Sequence, residues 1–526
     1  MSSARLYHNG RVFTGRRYAE AILIDDGRVV AVGQAEEIRR LRPTGTGVED
    51  LGGHLLLPGL IDSHLHLSRI TLERESFDAG VAGSRRDLAR RAQEWAALHP
   101  NGPVIGHGWH AGQFEGESEP SARDLDDGVP DRPFVIYHAS GHAAVVNDPA
   151  LEAMGIDRST PDPRGGRIGR TGEGTATGVL YESALKLLDP LVAENSRVDP
   201  SGLERTLEIA ASLGLTTVAS MNVGIGEVRA LQVLSEAHRL RLRTRLYLHL
   251  AALARPSSID DLALPDPEHL AIRGVKAFTD GAFGPRTAWL SEPYTDAPTE
   301  IGLPAANDAE LTDALGIAAS RGLAPALHAI GDRAVERSLK LLRNSVGRTP
   351  APARIEHAAL TPPELFPQLR EVGPALVVQP GFVWSDAWLG ERLGRERARW
   401  AYAFRTLIDQ GLLLAGSSDA PYDPVDPWRG LRAAVTRRDP LGRSANPDAA
   451  EALPVEGALQ LYTLNAGRVL GEPELGPLEP EARADFVILD SDRLDRAFVR
   501  GSAGVIETWV GGECIAGRSG RMSANG

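Results

Sequence analysis

The sequence predicts an α/β protein: a (β/α)8 TIM-like barrel with a β-sandwich formed by both chain termini and an inserted α/β subdomain after the first barrel strand. Three observations lead there. A strand-then-helix rhythm recurs through the middle of the 526-residue chain, glycine-punctuated β texture marks both ends, and one connection is far too long for an ordinary βα loop. The sandwich is expected from 1–57 together with 471–526, and the barrel from 58–470 with 67–200 as its insertion. A chain this long exceeds what a single core usually serves.

Taken in order, the short runs 11–13, 21–24 and 28–33 are separated by turn signals such as Asp26-Gly27, which predicts a small β unit. Similar texture returns at 484–490 and 505–513. Barrel strands are expected over 60–66, 216–221, 245–250, 275–278, 325–328, 354–357, 376–379 and 412–417. The segments 203–213, 309–321 and 333–342 carry apolar residues at three- and four-residue spacing, as helices packed on a sheet do. Within the insertion, a helix is expected over 84–98 and strands over 103–106 and 133–137. The glycine-rich run 165–174 lacks the Lys-Ser/Thr ending of a phosphate loop and reads as a flexible loop.

Bulk properties narrow the function classes. Hydrophobic residues at 42%, charged residues at 24% and the lack of a long apolar run describe a water-soluble globular protein. A net charge of −13 argues against a nucleic-acid surface and against docking on anionic lipid, which leaves a small molecule as the expected partner. The first residues carry no apolar core of signal-peptide length, and Cys514 is the single cysteine, so a cytoplasmic location is expected. The oligomeric state stays open, a homodimer included.

The chemistry should sit at the carboxyl ends of the barrel strands. His64 and His66 flank one apolar residue, and residues i and i+2 of a strand share a face, so two imidazoles leave the first strand together. His328 ends the fifth expected strand, His357 ends the sixth, and Asp419 follows the eighth. Lys276 lies in the fourth, and it is one of only three lysines among 57 basic residues, so a generic positive charge does not explain it. Singly, each has an ordinary structural reading: a hydrogen-bonded histidine, a turn aspartate, an ion-paired lysine. Together at one barrel end they favour a metal site.

The order His-X-His, Lys, His, His, Asp on strands one, four, five, six and eight resembles the amidohydrolase superfamily. Five phrases resemble its amidohydrolase 3 branch, the YtcJ-like proteins that include N-substituted formamide deformylases: Pro58-Gly59-Leu60-Ile61-Asp62-Ser63-His64-Leu65-His66, Gly141-His142-Ala143-Ala144-Val145-Val146-Asn147, Val275-Lys276-Ala277-Phe278-Thr279-Asp280-Gly281, His328-Ala329-Ile330-Gly331-Asp332 and Gly416-Ser417-Ser418-Asp419-Ala420-Pro421. Two departures stand out: Glu481-Ala482-Arg483 replaces a usual Gly-Lys pair, and His110 stands where an acidic residue often follows Gly-Trp.

What the resemblance implies is a pair of divalent metal ions, expected to be zinc. His64, His66 and Asp419 would hold one and His328 and His357 the other, with carbamylated Lys276 between them. Arginine, always protonated, could not take up carbon dioxide in this way. Asp419 would be the general base for attack of a metal-activated hydroxide on a non-peptide carbon–nitrogen bond, in an amide, N-formyl or cyclic amide substrate. Ester or lactone hydrolysis is the alternative within the same chemistry, and a non-catalytic regulatory or binding protein the alternative outside it. Read from the residues themselves, Trp109, His142, Arg286 and Trp384 are the expected substrate contacts, with His110, Tyr137, His138, Phe382 and Trp388 nearby; packing of the insertion onto the barrel accounts for the aromatics at least as well, and a structural ion pair for Arg286.

Overall fold

The computed structural model describes residues 4–517, apart from 111–113, 115–118, 164, 193–197, 251, 253–263 and 344–348. At its centre eight parallel strands follow one another in chain order around a barrel: Leu60–Leu65, Leu215–Val223, Arg243–His249, Leu270–Phe278, Ala324–Ala329, Arg354–His357, Ala375–Val378 and Leu414–Gly416. Nearly every residue in the second, fifth, sixth and seventh of these is buried, because helices cover the outer face while side chains fill the inside. Successive residues of these strands are therefore buried on both faces rather than on one.

Between the eighth strand and the first, the barrel closes mostly beyond the strand ends. The Asp419 amide donates to the His64 carbonyl at 2.8 Å and the His66 amide to the Ala420 carbonyl at 2.9 Å. Buried Asp62 adds a side-chain brace, accepting from the amides of His64 and Ser418 at 3.2 and 3.1 Å. The seam thus draws His64, His66 and Asp419 to one place. The outer helices have conventional starts: Asp199 and Asn307 cap Pro200–Ser212 and Asp308–Ser320 by accepting from the amides of Gly202 and Glu310.

The segment after the first strand builds its own six-stranded sheet, in the order Gly166–Arg170, Ala176–Glu182, Ala143–Val146, Phe134–His138, Val104–Trp109 and Phe77–Asp78. Helix Arg85–Leu98, capped by Ser84, packs Leu88 and Ala92 into the core of this unit. The glycine-rich run is not the flexible loop expected of it. Gly166–Arg170 and Ala176–Glu182 form an antiparallel hairpin that buries Ile168, and a Cβ on Gly166 would stand 2.3 Å from the Ala184 nitrogen. Close backbone approach, not mobility, is what glycine provides there.

Strands from both ends of the chain share a second six-stranded sheet, in which Phe486–Leu489 runs antiparallel to Leu55–Pro58. A four-stranded sheet, Arg28–Gly33, Ala21–Asp25, Arg5–His8 and Gly47–Asp50, lies beside it, and Tyr7, Phe486 and Trp509 pack together in the core of this unit. Buried ion pairs tie the floor of the barrel to the C-terminal residues. Arg243 donates to Asp485 at 2.7 and 3.0 Å, and Arg245 to Glu472 at 2.8 and 2.9 Å. Among the described residues no helix is long and apolar enough to cross a membrane.

Candidate metal centre at the barrel mouth

His64, His66, Lys276, His328, His357 and Asp419 line one cavity of about 1590 Å³ at the carboxyl ends of the strands. Their tautomers are largely set by what their outer nitrogens touch. His64 Nδ1 donates to Glu356 Oε2 at 2.5 Å, His66 Nδ1 to the Met221 carbonyl at 3.1 Å, and His357 Nδ1 to Gln379 Oε1 at 2.8 Å. Each of these three rings therefore keeps its Nε2 lone pair for the cavity, as metal-ligating histidines do. His328 is turned the other way: its Nε2 donates to the Gly281 carbonyl at 3.0 Å and leaves Nδ1 as the acceptor.

Asp419 supplies the test of whether a cation fits. The Nε2 atoms of His64 and His66 lie 3.1 and 3.2 Å from its Oδ1, yet that buried oxygen has no hydrogen-bond partner among the described residues. Donor atoms of His64, His357 and Asp419 all fall within 4.8 Å of one another. Lone pairs that converge on a carboxylate without hydrogen-bonding to it suit a shared cation, and imidazole with carboxylate suits a zinc-like ion. The residues fit.

Burial depresses three of the histidines. It pushes His357 down to about 3 and His328 well below its ordinary value, the nearby cationic groups adding to the effect, and it lowers His66 despite Asp419. For Lys276, burial lowers the amine to about 8 against the opposing pull of Glu356 and Asp419. Burial also opposes ionisation of Asp419; positive charge on His64 and His66 holds the carboxyl well below the carboxylate range, and where those rings are neutral a bound cation would supply that charge. Neutral imidazoles, an easily deprotonated lysine and an anionic aspartate are the forms in which these side chains bind metal.

Backbone geometry aims two of them. His357 and Asp419 have φ of +71° and +57°, a region that costs a non-glycine residue roughly 1–3 kcal/mol. Glu356 already faces the interior, and successive strand residues point opposite ways. The left-handed turn at His357 lets its side chain face inward as well. Glu356 is in turn gripped by Arg354, which donates to it at 2.5 and 2.8 Å and reaches the Ser63 carbonyl at 2.7 Å.

The expected substrate contacts divide. His142 lines the cavity, its ring centre 6.0 Å from that of His328. Trp109, Arg286 and Trp384 are not among the lining residues. Trp109 is buried inside the insertion and donates to the Ile136 carbonyl at 3.2 Å. Arg286 is held by Asp296 at 2.8 Å, and Trp384 packs behind the wall beneath the Arg429 guanidinium. Large aromatic and cationic side chains were wanted by the scaffold in all three places. His110, His138, Phe382 and Trp388 do reach the cavity, whereas Tyr137 is stacked on His107.

Residues 47–516 match the amidohydrolase family (Amidohydro_3). The chain belongs to the amidohydrolase family. Amidohydrolase relatives include the YtcJ protein of Bacillus subtilis (strain 168), 34% identical over 93% of this chain and 94% of its own length. The N-substituted formamide deformylase of Arthrobacter pascens is 28% identical, with 91% of each chain covered. Among solved structures, an uncharacterized metal-dependent hydrolase of Pyrococcus horikoshii OT3 superposes with a TM-score of 0.78 at 31% identity, covering 95% of this chain and 99% of that one. This protein is thus an amidohydrolase-family hydrolase.

Around the centre lie groups that sequence reasoning passed over. Glu356 was within reach, since Arg354 and Glu356 are i and i+2 on one strand and must share a face. Glu182 was not: it comes from the insertion, with φ of +51°, and accepts from His142 Nδ1 at 2.9 Å and from the Thr287 hydroxyl. Asp280 accepts from the amides of Trp289, Ile330 and Gly331 at 2.8–3.0 Å and so ties together the loops after strands four and five. No spacing in the chain announces either contact.

Proposed function

We propose that this amidohydrolase-family protein hydrolyses a non-peptide carbon–nitrogen bond of a small amide-like substrate: an N-acyl, N-formyl or cyclic amide. The observation that carries the reading is Asp419 Oδ1, anionic, buried and without a hydrogen bond beside two imidazole lone pairs in a cavity of about 1590 Å³. His64, His66 and Asp419 would hold one divalent cation, His328 and His357 a second, and Lys276 as its carbamate would join them. Zinc suits this donor set. Such ions, when bound, would polarise the substrate carbonyl and acidify the attacking water.

The remaining steps belong to the chain. Asp419 takes a proton from water as oxygen adds to the carbonyl carbon, and the tetrahedral adduct collapses with cleavage of the carbon–nitrogen bond. The same carboxyl then returns the proton to the departing nitrogen, so one carboxylate serves both transfers and is regenerated. His142, fixed through Nδ1 by Glu182, presents Nε2 on the His328 side of the cavity, where a protonated ring can donate to the carbonyl oxygen. Glu182 raises His142 against the opposing effect of burial. Amides gain more from this arrangement than esters, since an amine is the leaving group that needs a proton.

Zinc-loaded protein challenged with N-formyl amines, N-acyl amino acids and aryl esters tests the reading. Turnover of amides, absent in Asp419→Asn, is expected. Turnover of esters alone would transfer the site to ester chemistry, and turnover of nothing would leave a binding protein. Metal analysis should find two ions per chain, and intact mass under native conditions should exceed that of the sequence plus its bound metal by one carbon dioxide. One ion per chain, or an unmodified Lys276, would remove the bridge.

A further inference from the structure

The cavity continues past the candidate metal centre along one wall, and that wall ends in a carboxylate that forms no ion pair among the described residues. Phe382 lies parallel to His357, their rings 4° apart in plane with centres 6.5 Å apart, and meets Tyr402 edge-on at 6.4 Å. The Tyr402 hydroxyl donates to Asp386 Oδ2 at 2.5 Å. Phe382, Tyr402, Asp386 and Trp388 all line the cavity. Two aromatic rings therefore lead from a metal ligand to Asp386.

Asp386 is an unusual group to leave there. Tyr402 is its one side-chain partner among the described residues, and it forms no ion pair there. The arginines of the same wall are engaged elsewhere: Arg429 with Asp423 at 3.0 Å, and Arg392 with Asp296. Burial and the proximity of Asp423 push the Asp386 carboxyl up to about 7, despite the Tyr402 hydrogen bond. A partly buried carboxylate facing a cavity without a counterion is costly unless something entering the cavity completes it. Tyr402 is held with φ of +52°, its amide on the Ala359 carbonyl, so the hydroxyl that orients Asp386 is fixed by strained backbone.

We propose that Asp386, with the rings of Phe382 and Tyr402, forms a subsite for a cationic nitrogen, so that the substrate carries a protonated amine or amidine separated from the scissile carbonyl by an apolar spacer. The carboxylate contributes charge and a hydrogen-bond acceptor, and the rings favour a cation over a neutral group of equal size. Anionic tails are disfavoured by the same charge. The inference rests on the proposed hydrolytic reading only for the position of the carbonyl. The subsite itself does not depend on turnover.

Equilibrium binding, measured by calorimetry on the metal-loaded full-length protein, tests it without any hydrolysis. The probes are benzylammonium and its neutral counterpart benzyl alcohol. The wild type should bind the ammonium at least about 10-fold more tightly, and Asp386→Asn should abolish that preference while leaving the alcohol unchanged. Tyr402→Phe, which keeps the carboxylate, should retain the preference. Equal binding of the two probes by wild type overturns the proposal, even if Asp386→Asn fails to fold. So does a preference that survives Asp386→Asn, which would place the amine on the metal instead. Failure of the amide panel with this preference intact would reject the hydrolytic reading alone.

Discussion

The two ends of the barrel bury ionisable groups to a similar depth and treat them in opposite ways. At the floor, each charge meets its opposite directly: Arg243 with Asp485, and Arg245 with Glu472 through two guanidinium nitrogens. At the mouth, His64 and His66 turn lone pairs rather than protons toward Asp419, whose Oδ1 is left without a hydrogen bond among the described residues. Paired charge of the first kind joins parts of the fold. Convergent acceptors of the second kind are stable only with a cation among them, and they mark the place where chemistry is done.

The contrast can be broken most sharply at Asp419. If Asp419 is the general base and ligand of the proposed reading, Asp419→Asn should lower kcat roughly 10,000-fold, the upper end for loss of a general base. Thermal unfolding of the metal-free protein should be little changed. A variant with ordinary kcat would make the mouth another structural pair.

Glu472→Ala should do the reverse at the floor. Leaving Arg245 buried without its partner is expected to cost about 3–5 kcal/mol in denaturant unfolding. The fraction that remains folded should keep its kcat and metal content, and a proportionate fall in kcat would mean that the two ends are coupled.

Glu356 mixes both habits, since Arg354 pairs with it from one side and His64 from the other. Burial opposes its ionisation, but Arg354 and then His64 hold its carboxyl below the usual range. Glu356→Gln should weaken metal binding by about 10- to 100-fold in chelator competition, through loss of the His64 orientation. Unaltered affinity would place Glu356 with the floor pairs.

The smallest effect is expected at Trp109, inside the insertion. Trp109→Phe removes the hydrogen bond to the Ile136 carbonyl and should cost about 0.5–1.5 kcal/mol in unfolding with KM unchanged. A rise in KM would return Trp109 to the substrate wall.

The barrel was legible because its signal is local: 376–379 needs only the apolar run Leu376-Val377-Val378 and flanking turns to read as a strand, and the structure places that strand at Ala375–Val378. Ligand candidates were legible for the same reason, since the strand ends nominate His64, His66, His328 and His357. The misreadings arose where the decisive contact is distant in sequence. Arg286 reads equally as an anion-binding residue or as half of an ion pair until Asp296 closes on it, and Gly166 looks flexible until Ala184 is packed against it. Trp109 and Trp384 show that aromatic character alone does not separate a wall from a cavity lining.

The sequence by itself determined the strand order, the residue types at the strand ends and the scarcity of lysine that singles out Lys276, because these depend on period, spacing and composition. Tertiary structure decided which nitrogen of each histidine faces the cavity, that Glu356 stands behind His64, that the insertion supplies His142 and Glu182, and that Asp386 is without a cation. Those facts are set by backbone turns of φ near +60° and by hydrogen bonds spanning tens to hundreds of residues, as in the 292-residue separation of His64 and Glu356. Local pattern carries no record of such pairings, since they exist only once the barrel has closed.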